Sequence, residues 1–271
     1  LTALYEKIAQ KEGVFFAENG WQQTCRDWKA KYPVVMQKHY DDTRDTNVYA
    51  FIKSLSSRLP EGYTTVVGNG SACVVGSHGY EIKKGQRFII NSAVASMGYD
   101  LPAAIGVCVA LDKQEIVCVT GDGSIQMNLQ ELQTILTNKL PIKIFVINNG
   151  GYHSIRQTQT NIFSHHSKVG IGPESGDLSF PELEKLAWAY GYPYRACRSN
   201  AELSEVLDAA IETEGSFICE IFVSPEQLFE PKSATKRLED GSLFSPPLED
   251  LAPFLDREEL RKLMIIPMIE E

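Results

Sequence analysis

Two short polar segments of the sequence are the best suited to bind a ligand. One predicted helix and one predicted strand separate them. Asp122 stands between glycines in Gly121-Asp122-Gly123-Ser124, and Asn148-Asn149-Gly150-Gly151 follows further along the chain. A carboxylate, a side-chain amide oxygen and a backbone carbonyl are hard oxygen donors, which suit Mg²⁺ that also takes phosphate oxygens. These residue types therefore predict a site for a divalent cation and a phosphate group.

The residues around both segments predict a βαβ unit. Residues 115–120 form a short run rich in β-branched side chains, typical of a buried parallel strand. A helix is expected to begin just after Ser124, because apolar residues then recur at helical spacing. Residues 142–147 predict the next strand. Ligands bind outside the carboxyl ends of strands in an open α/β sheet, so Asp122 and Asn149 are expected to face one crevice.

The motif GDGSIQMNLQEL, followed at this distance by the asparagine pair, resembles the cofactor-binding motif of thiamine-diphosphate enzymes. The resemblance is to the acetolactate synthase branch in particular. It implies thiamine diphosphate and Mg²⁺ as cofactors, with the metal held by the Asp122 carboxylate, the Asn149 side-chain oxygen and the Gly151 backbone carbonyl. The resemblance also places four more residues at the cofactor: Gly121, Gly123, Ser124 and Tyr152. Of these, Gly123 and Ser124 would donate hydrogen bonds to phosphate.

Two earlier segments extend the resemblance. Asn69 and Gly70 stand where the family usually has a glutamine-histidine pair, so this match is partial, and an ordinary βα turn stays open. Residues 91–106 are similar to a family segment ending in MG-x-x-LP-A-A-I-G. By resemblance, Met97 would support the bent cofactor and the Ala95 carbonyl would accept a hydrogen bond from its aminopyrimidine. Without the resemblance, Met97 is simply a core residue.

Residues 152–159, YHSIRQTQ, are expected to form a wall of the crevice. His153 is a candidate catalytic residue because its unperturbed pKa lies near neutrality, although a contact with substrate or a structural role stays open. Arg156 would bind a carboxylate or lie on a helix surface. Thr158 stands where acetolactate synthases usually have a tryptophan, which weakens the acetolactate assignment and favours a relative with another acceptor.

The resemblance implies an α/β fold, a doubly wound parallel sheet with helices on both faces, and the alternation of predicted strands and helices agrees with it. It implies an enzyme that decarboxylates a 2-oxo acid and either releases an aldehyde or joins the product to a second carbonyl compound. Family members also use a glutamate from a pyrimidine-binding domain, and residues 1–45 offer none. We therefore expect that domain in the same longer chain or in another subunit, and a homo-oligomer.

Two alternatives remain from the sequence: a non-catalytic cofactor-binding subunit that depends on a partner, and a simple 2-oxo acid decarboxylase. A general nucleotide-binding module has no support, since neither GxGxxG nor GxxxxGK occurs. The neighbouring His165 and His166 are not expected to bind a metal, because residues adjacent in sequence rarely chelate one ion without further ligands.

Length, charge and cysteine content limit the kinds of protein that this sequence can encode. The chain has 271 residues, interpreted as the tail of a preceding domain and a linker (1–45), a cofactor-binding domain (46–230) and a tail that packs on it (231–271). A net charge of -9 argues against a nucleic-acid partner, and no apolar run is long enough to suggest a membrane span. Six scattered cysteines without CxxC spacing favour reduced core residues and a cytoplasmic location.

Overall fold

The computed structural model describes residues 2–10, 20–41, 45–163, 166–237 and 240–268. The chain divides into two compact units, residues 1–34 and 35–271. The first contains α1 (Thr2–Ala9) and α2 (Trp21–Lys31), and α2 has no buried residue. The predicted domain limits at residues 45 and 230 stay predictions.

The second unit is built around six strands, with short helices between them. The strands are β1 (Thr64–Val67), β2 (Arg87–Ile90), β3 (Ile116–Gly121), β4 (Ile142–Asn148), β5 (Tyr194–Cys197) and β6 (Phe217–Phe222). The helices are α3 (Lys38–Asp41), α4 (Val48–Arg58), α5 (Ser71–Gly79), α6 (Asp100–Ala110), α7 (Glu131–Thr137), α8 (His153–Ile162), α9 (Leu183–Tyr190), α10 (Leu203–Glu212) and α11 (Arg257–Leu263). A two-stranded antiparallel ribbon, β7 (Lys236–Arg237) and β8 (Leu243–Phe244), follows the last strand of the sheet.

All neighbouring strands of the six-stranded sheet are parallel, in the order β2-β1-β3-β4-β6-β5. The predicted doubly wound α/β fold is therefore confirmed. From β1 the chain runs outward to β2 and then crosses to β3 on the other side of β1. This reversal makes the carboxyl ends of β1 and β3 a topological switch point, the position at which open α/β sheets bind ligands.

Helices cover both faces of the sheet. On one face, apolar residues of α6, α7 and α9 pack with strand residues such as Cys118 and Ile144 in one buried cluster. On the opposite face α4 lies against β4, where the rings of Phe51 and Phe145 are 5.8 Å apart, and α5 and α10 both contact α4. Consecutive strand residues point to opposite faces, so the fully buried β4 supports both layers.

Several local expectations differ from the structure. The cap of α4 is Asn47, whose side chain accepts hydrogen bonds from the N–H groups of Tyr49 (2.9 Å) and Ala50 (3.3 Å). From the sequence, Thr46 is expected to be the cap, because threonine favours that position, but Thr46 forms an isolated bridge with Val223 instead. The helix predicted after Ser124 begins as a 3-10 turn, Ile125–Asn128, and continues as α7.

Residues 101–111 are rich in alanine and valine and predict a helix that is buried on nearly all faces, and for α6 this prediction is wrong. Leu101, Ala104 and Cys108 are buried, but Val109 is 55% exposed. An alanine-rich helix with small side chains can leave one face in solvent because that face costs little apolar exposure. Among the described residues, no helix combines the length and the apolar character that a membrane crossing requires.

Candidate functional site

A cleft of about 100 Å³ opens at the carboxyl ends of β1, β3 and β4. It brings together nearly all the predicted cofactor and metal residues. Those that line it are Asn69, Gly70, Met97, Gly121, Asp122, Gly123, Ser124, Asn149, Gly151 and Tyr152, together with His153. Ala95 is the predicted residue that does not line it. Ser154 and Ile155 also line it, as expected for the predicted wall of residues 152–159, and Ser71 and Ile147 line it although the sequence did not single them out.

The Asp122 carboxylate joins the two halves of the motif. It accepts hydrogen bonds from the backbone N–H groups of Gly123 and Gly151, both at 2.8 Å. Burial raises the pKa of Asp122 to about 7, and the two N–H groups and the nearby Arg156 charge act against this rise. A buried carboxylate with a raised pKa is an anion that a bound cation would stabilise.

Asn149 presents an unpaired oxygen beside this carboxylate. Its side-chain nitrogen donates to the Ser71 hydroxyl at 2.9 Å, which orients the amide. Its Oδ1 atom is buried and has no hydrogen-bond partner among the described residues. An unsatisfied buried acceptor costs about 1–3 kcal/mol, so a cation ligand at this oxygen would remove a destabilising feature. The donor set therefore fits Mg²⁺.

Close packing shapes the turn that carries the third predicted metal ligand. Gly151 has φ of 133°, and a Cβ atom there would lie 1.9 Å from the Ile171 carbonyl oxygen. A Cβ atom at Gly123 would lie 2.3 Å from the Tyr152 ring. Both positions require glycine because neighbouring atoms fill the space that a side chain needs. The Gly151 carbonyl accepts a 3.1 Å hydrogen bond from the His153 N–H and keeps a second lone pair.

Asp100, which the sequence does not reveal as a site residue, is a buried acceptor for several donors around the cleft, and we call this group the Asp100 hub. Its side chain is fully buried, and its Oδ2 accepts hydrogen bonds from the hydroxyls of Thr120 (2.5 Å) and Ser124 (2.8 Å). The Ser124 oxygen in turn accepts from the Gly98 N–H at 2.9 Å. The single hydroxyl hydrogen of Ser124 is thus already donated, and its backbone N–H is the group left for the predicted contact with phosphate.

The segment that precedes Gly98 is open to solvent. Met97 is 40% exposed and borders the cleft, so the interpretation of this methionine as a core residue is wrong. Ala95 has φ of 53°, and its N–H donates to the Asn91 carbonyl at 2.8 Å. The predicted cofactor roles of Ala95 and Met97 stay predictions.

Arg156 does not lie on the helix surface, and the carboxylate that it binds in the structure is that of Glu174. The arginine is only 4% exposed, and its guanidinium donates to the backbone carbonyls of Asn149 (3.2 Å) and Gly150 (3.0 Å). It also binds Glu174 at 2.8 Å. Because one side chain holds two successive carbonyls of the turn that carries the predicted metal ligands, Arg156 fixes the conformation of that turn.

His153 is buried beside this arginine. Its ring packs edge-on against Phe229, with centroids 4.9 Å apart. Burial lowers the pKa of His153, and the Arg156 charge acts in the same direction. Thr158 is exposed and donates to the Ser154 carbonyl of its own helix at 3.1 Å, away from the cleft lining.

The other described histidines and the cysteines lie outside this cleft. His165 falls outside the described residues, and His166 is exposed. Within the described ranges, no three His, Cys, Asp or Glu side chains are grouped closely enough to hold a metal ion. All six cysteines are free, and four of them are buried, in agreement with the expectation of reduced core residues.

An open parallel α/β sheet with oxygen donors and backbone N–H groups at its switch point defines a cofactor-binding domain of the diphosphate type. Comparison with known proteins agrees. Residues 68–221 match the family model described as "Thiamine pyrophosphate enzyme, C-terminal TPP binding domain". The chain belongs to this family of thiamine-diphosphate enzymes, in its acetolactate synthase-like branch.

Similar proteins include acetolactate synthases and their large subunits. The chain is 34% identical over 193 residues to the isozyme 3 large subunit of Escherichia coli (strain K12), covering 71% of this chain and 32% of that protein. It is 32% identical over 199 residues to the large subunit of Buchnera aphidicola subsp. Schlechtendalia chinensis, covering 73% and 33%. The chloroplastic acetolactate synthase 2 of Nicotiana tabacum is 27% identical over 243 residues, covering 84% and 34%. The chain spans about a third of the length of these relatives.

Proposed function

We propose that this chain supplies the diphosphate- and Mg²⁺-binding half of a thiamine-diphosphate-dependent carboligase or decarboxylase that acts on a 2-oxo acid. The observation that carries the proposal is the pairing of Asp122 with Asn149. One is a buried carboxylate positioned by the Gly151 N–H, and the other is a buried amide oxygen without a partner in the described chain.

Each donor in the cleft has a role in this proposal. The Asp122 carboxylate, Asn149 Oδ1 and the Gly151 carbonyl would hold Mg²⁺, leaving the other positions of its octahedral shell to diphosphate oxygens and water. Backbone N–H groups at Ser124 and at the start of α5, after Gly70, would hold the diphosphate. When bound, thiamine diphosphate supplies the electron sink that lets a 2-oxo acid lose CO₂.

The other half of the site belongs to a separate domain in this proposal. Met97 and Ile155 line the cleft and expose 40% and 46% of their surfaces, as expected of a site that another domain covers. A pyrimidine-binding domain, from the same longer chain or another subunit, would supply the glutamate in a homo-oligomer. A cytoplasmic location is proposed from the cysteine pattern alone.

Titration of thiamine diphosphate with and without Mg²⁺ tests the proposal. Wild type is expected to bind only with the metal, and Asp122→Asn is expected to lose that dependence together with most of its affinity. Asp208→Asn is the matched control, because Asp208 is an exposed acid paired with Arg58 outside the cleft. Metal-independent binding by wild type would exclude the site.

The partner-dependent, non-catalytic subunit is the second candidate. It is separated from the first by adding the pyrimidine-binding domain to the purified chain and measuring CO₂ release from pyruvate, a simple 2-oxo acid. Turnover that requires both parts supports the catalytic assignment. Tight cofactor binding without turnover by the combined parts supports the non-catalytic one.

A further inference from the structure

The turn from Asn148 to Gly151 lies between two cavities. Asn149 and Gly151 line the cleft of about 100 Å³, whereas Asn148 and Gly150 line a second cavity of about 260 Å³. Because the space on that second side of the turn is open, close packing does not support the turn from there. Its position must depend on hydrogen bonds instead.

The backbone of this turn is permissive by itself. Gly150 has φ of 70° and Gly151 has φ of 133°, and glycine loses more conformational freedom on folding than any other residue. Arg156 binds the carbonyls of Asn149 and Gly150. The Gly150 N–H donates to Oδ1 of Asn148 at 3.0 Å, which makes the Asn148 side chain a second anchor of the turn.

Glu220 decides which way the Asn148 amide points. The Nδ2 atom of Asn148 donates to Oε1 of Glu220 at 2.6 Å, while Oδ1 accepts from the Gly150 N–H. A carboxylate accepts hydrogen bonds and a backbone N–H donates them, so both contacts require the same orientation of the amide. A rotation of the amide by about 180° would place its oxygen against the carboxylate and its nitrogen against the N–H, and both bonds would be lost.

Glu220 is itself fixed within the sheet. It is 4% exposed and lies on β6, between Val146 of β4 and Ala196 of β5 in the strand register. Asn148 and Tyr194 are each two residues from these partners, so all three polar side chains point to the same face of the sheet. The Tyr194 hydroxyl donates to Oε2 of Glu220 at 2.5 Å. Both carboxylate oxygens are thus paired, and Glu220 links the sheet to the turn.

We propose that Glu220 is a positioning residue of the metal site and acts through the Asn148 amide and the Gly150 N–H. These bonds set the path of the turn from which Asn149 and Gly151 direct their oxygens to the ion. The inference rests on the proposed function, since that function assigns Mg²⁺ to these oxygens. Glu220 touches neither the ion nor the cofactor in this arrangement.

Two substitutions of Glu220 test this role in calorimetric titrations of thiamine diphosphate with Mg²⁺. Glu220→Leu removes the acceptor for Asn148 and is expected to weaken Mg²⁺-dependent binding about tenfold. Glu220→Gln keeps an acceptor and is expected to bind within about threefold of wild type. Both variants remove the carboxylate charge, so a difference between them reports the hydrogen bond.

Glu115→Leu is the matched control for loss of stability. Glu115 also accepts a hydrogen bond from a tyrosine hydroxyl, that of Tyr63 at 2.8 Å, and it pairs with the buried Lys143. It precedes β3 and therefore lies at the amino edge of the sheet, opposite the cleft. Its replacement is expected to lower the free energy of unfolding and to leave cofactor affinity unchanged.

A double-mutant cycle separates positioning from independent effects. Asn148→Ala removes both bonds of the amide and is expected to weaken Mg²⁺-dependent binding about tenfold. Addition of Glu220→Leu to this variant is expected to weaken binding by less than about twofold more, because the two residues act through one chain of bonds. If Glu220→Leu does not fold, Asn148→Ala and Glu220→Gln carry the test.

Four results would overturn this inference and leave the proposed function standing. They are binding by Glu220→Leu as tight as that of wild type, binding by Asn148→Ala as tight as that of wild type, a loss in Glu220→Gln as large as that in Glu220→Leu, and losses that multiply to about hundredfold in the double variant. Failure of wild type to bind thiamine diphosphate with Mg²⁺ would overturn both the inference and the proposed function.

Discussion

The backbone N–H of Gly151 donates a 2.8 Å hydrogen bond to the carboxylate of Asp122. This bond connects the turn after β3 to the turn after β4 and aligns two of the proposed metal ligands. The turn after β4 is held from its other side by Arg156, which binds the carbonyls of Asn149 and Gly150. The geometry of the proposed metal site thus depends on contacts within the protein itself.

Replacement of Arg156 by lysine is expected to weaken Mg²⁺-dependent binding of thiamine diphosphate. Lysine keeps the charge but cannot reach two carbonyls and a carboxylate at once. Loss of a group that orients metal ligands typically lowers metal affinity about 10- to 100-fold. Calorimetric titration measures the change, with Arg195→Lys as control because Arg195 is exposed and pairs only loosely with Glu205, at 3.4 Å. Equal affinities in both variants would show that Arg156 does not organise the turn.

Gly151→Ala is expected to lower the free energy of unfolding by about 3 kcal/mol or more. The added Cβ atom would collide with the Ile171 carbonyl, at 1.9 Å, from a backbone φ of 133°. Gly176→Ala separates the cost of the steric collision from the cost of the positive φ. Gly176 has φ of 73° and open space around it, so its replacement is expected to incur only the conformational cost of about 1–2 kcal/mol. Urea denaturation measures both, and similar losses would mean that the turn moves away from Ile171 easily.

Asp100→Asn is expected to cost about 2 kcal/mol of unfolding free energy. Oδ2 of Asp100 accepts hydrogens from the hydroxyls of Thr120 and Ser124, and Oδ1 accepts from the Leu101 N–H. Asparagine has a single acceptor oxygen, so in either orientation its NH₂ group faces at least one of these donors. Ser124 also holds the Gly98 N–H, so cofactor affinity is expected to fall with stability. Thermal and urea unfolding of Asp100→Asn beside Asp208→Asn provide the comparison, and a loss no larger than that of the surface variant would argue against the hub.

The sequence predicts those features of the fold that depend on residues close together in the chain. The β-branched runs of β3 and β4 identify buried strands, and alternating strands and helices identify a doubly wound sheet. The helix α5 was missed because its sequence, SACVVGSHG, has two glycines and no regular apolar spacing. The placement of β6 between β4 and β5 depends on packing of distant segments, which spacing does not reveal.

The candidate site also has residues that the local sequence predicts and residues whose roles depend on distant contacts. Asp122 and Asn149 are recognisable because each follows a strand and carries donor chemistry suited to a metal. The roles of Asp100 and Arg156 cannot be recognised from the sequence. Asp100 binds Thr120 and Arg156 binds Glu174, and these partners are distant in sequence and come together only in the folded chain.

Stability is expected to depend on the ionisation of His39. Burial lowers the pKa of this histidine below its ordinary value of 6.5, and Lys38 acts in the same direction against Glu230. Its Nδ1 accepts a hydrogen bond from the Met36 N–H at 3.1 Å, and its ring stacks on Tyr49 with centroids 5.1 Å apart. Both contacts favour the neutral ring.

The sign of this effect follows from the lowered pKa. Below about pH 6.5 the unfolded chain takes up a proton that the folded ring does not, so the free energy of unfolding falls as the pH decreases, by up to about 1.4 kcal/mol per pH unit. His39→Asn keeps an acceptor near Nδ1 without a titrating group, and it should lose less stability than wild type between pH 7.5 and about 5.5. Identical pH profiles would contradict the assignment, because the other histidines are common to both proteins.

The central claim is that Asp122, Asn149 and Gly151 hold the metal that anchors a diphosphate. A crystal structure with thiamine diphosphate and Mn²⁺ in place of Mg²⁺ tests it most directly, because anomalous scattering locates the ion. We predict a single peak roughly 2.1 Å from one Asp122 carboxylate oxygen, from Asn149 Oδ1 and from the Gly151 carbonyl. A peak held by other residues, or diphosphate bound in the cleft without an ion at these three oxygens, would contradict the account.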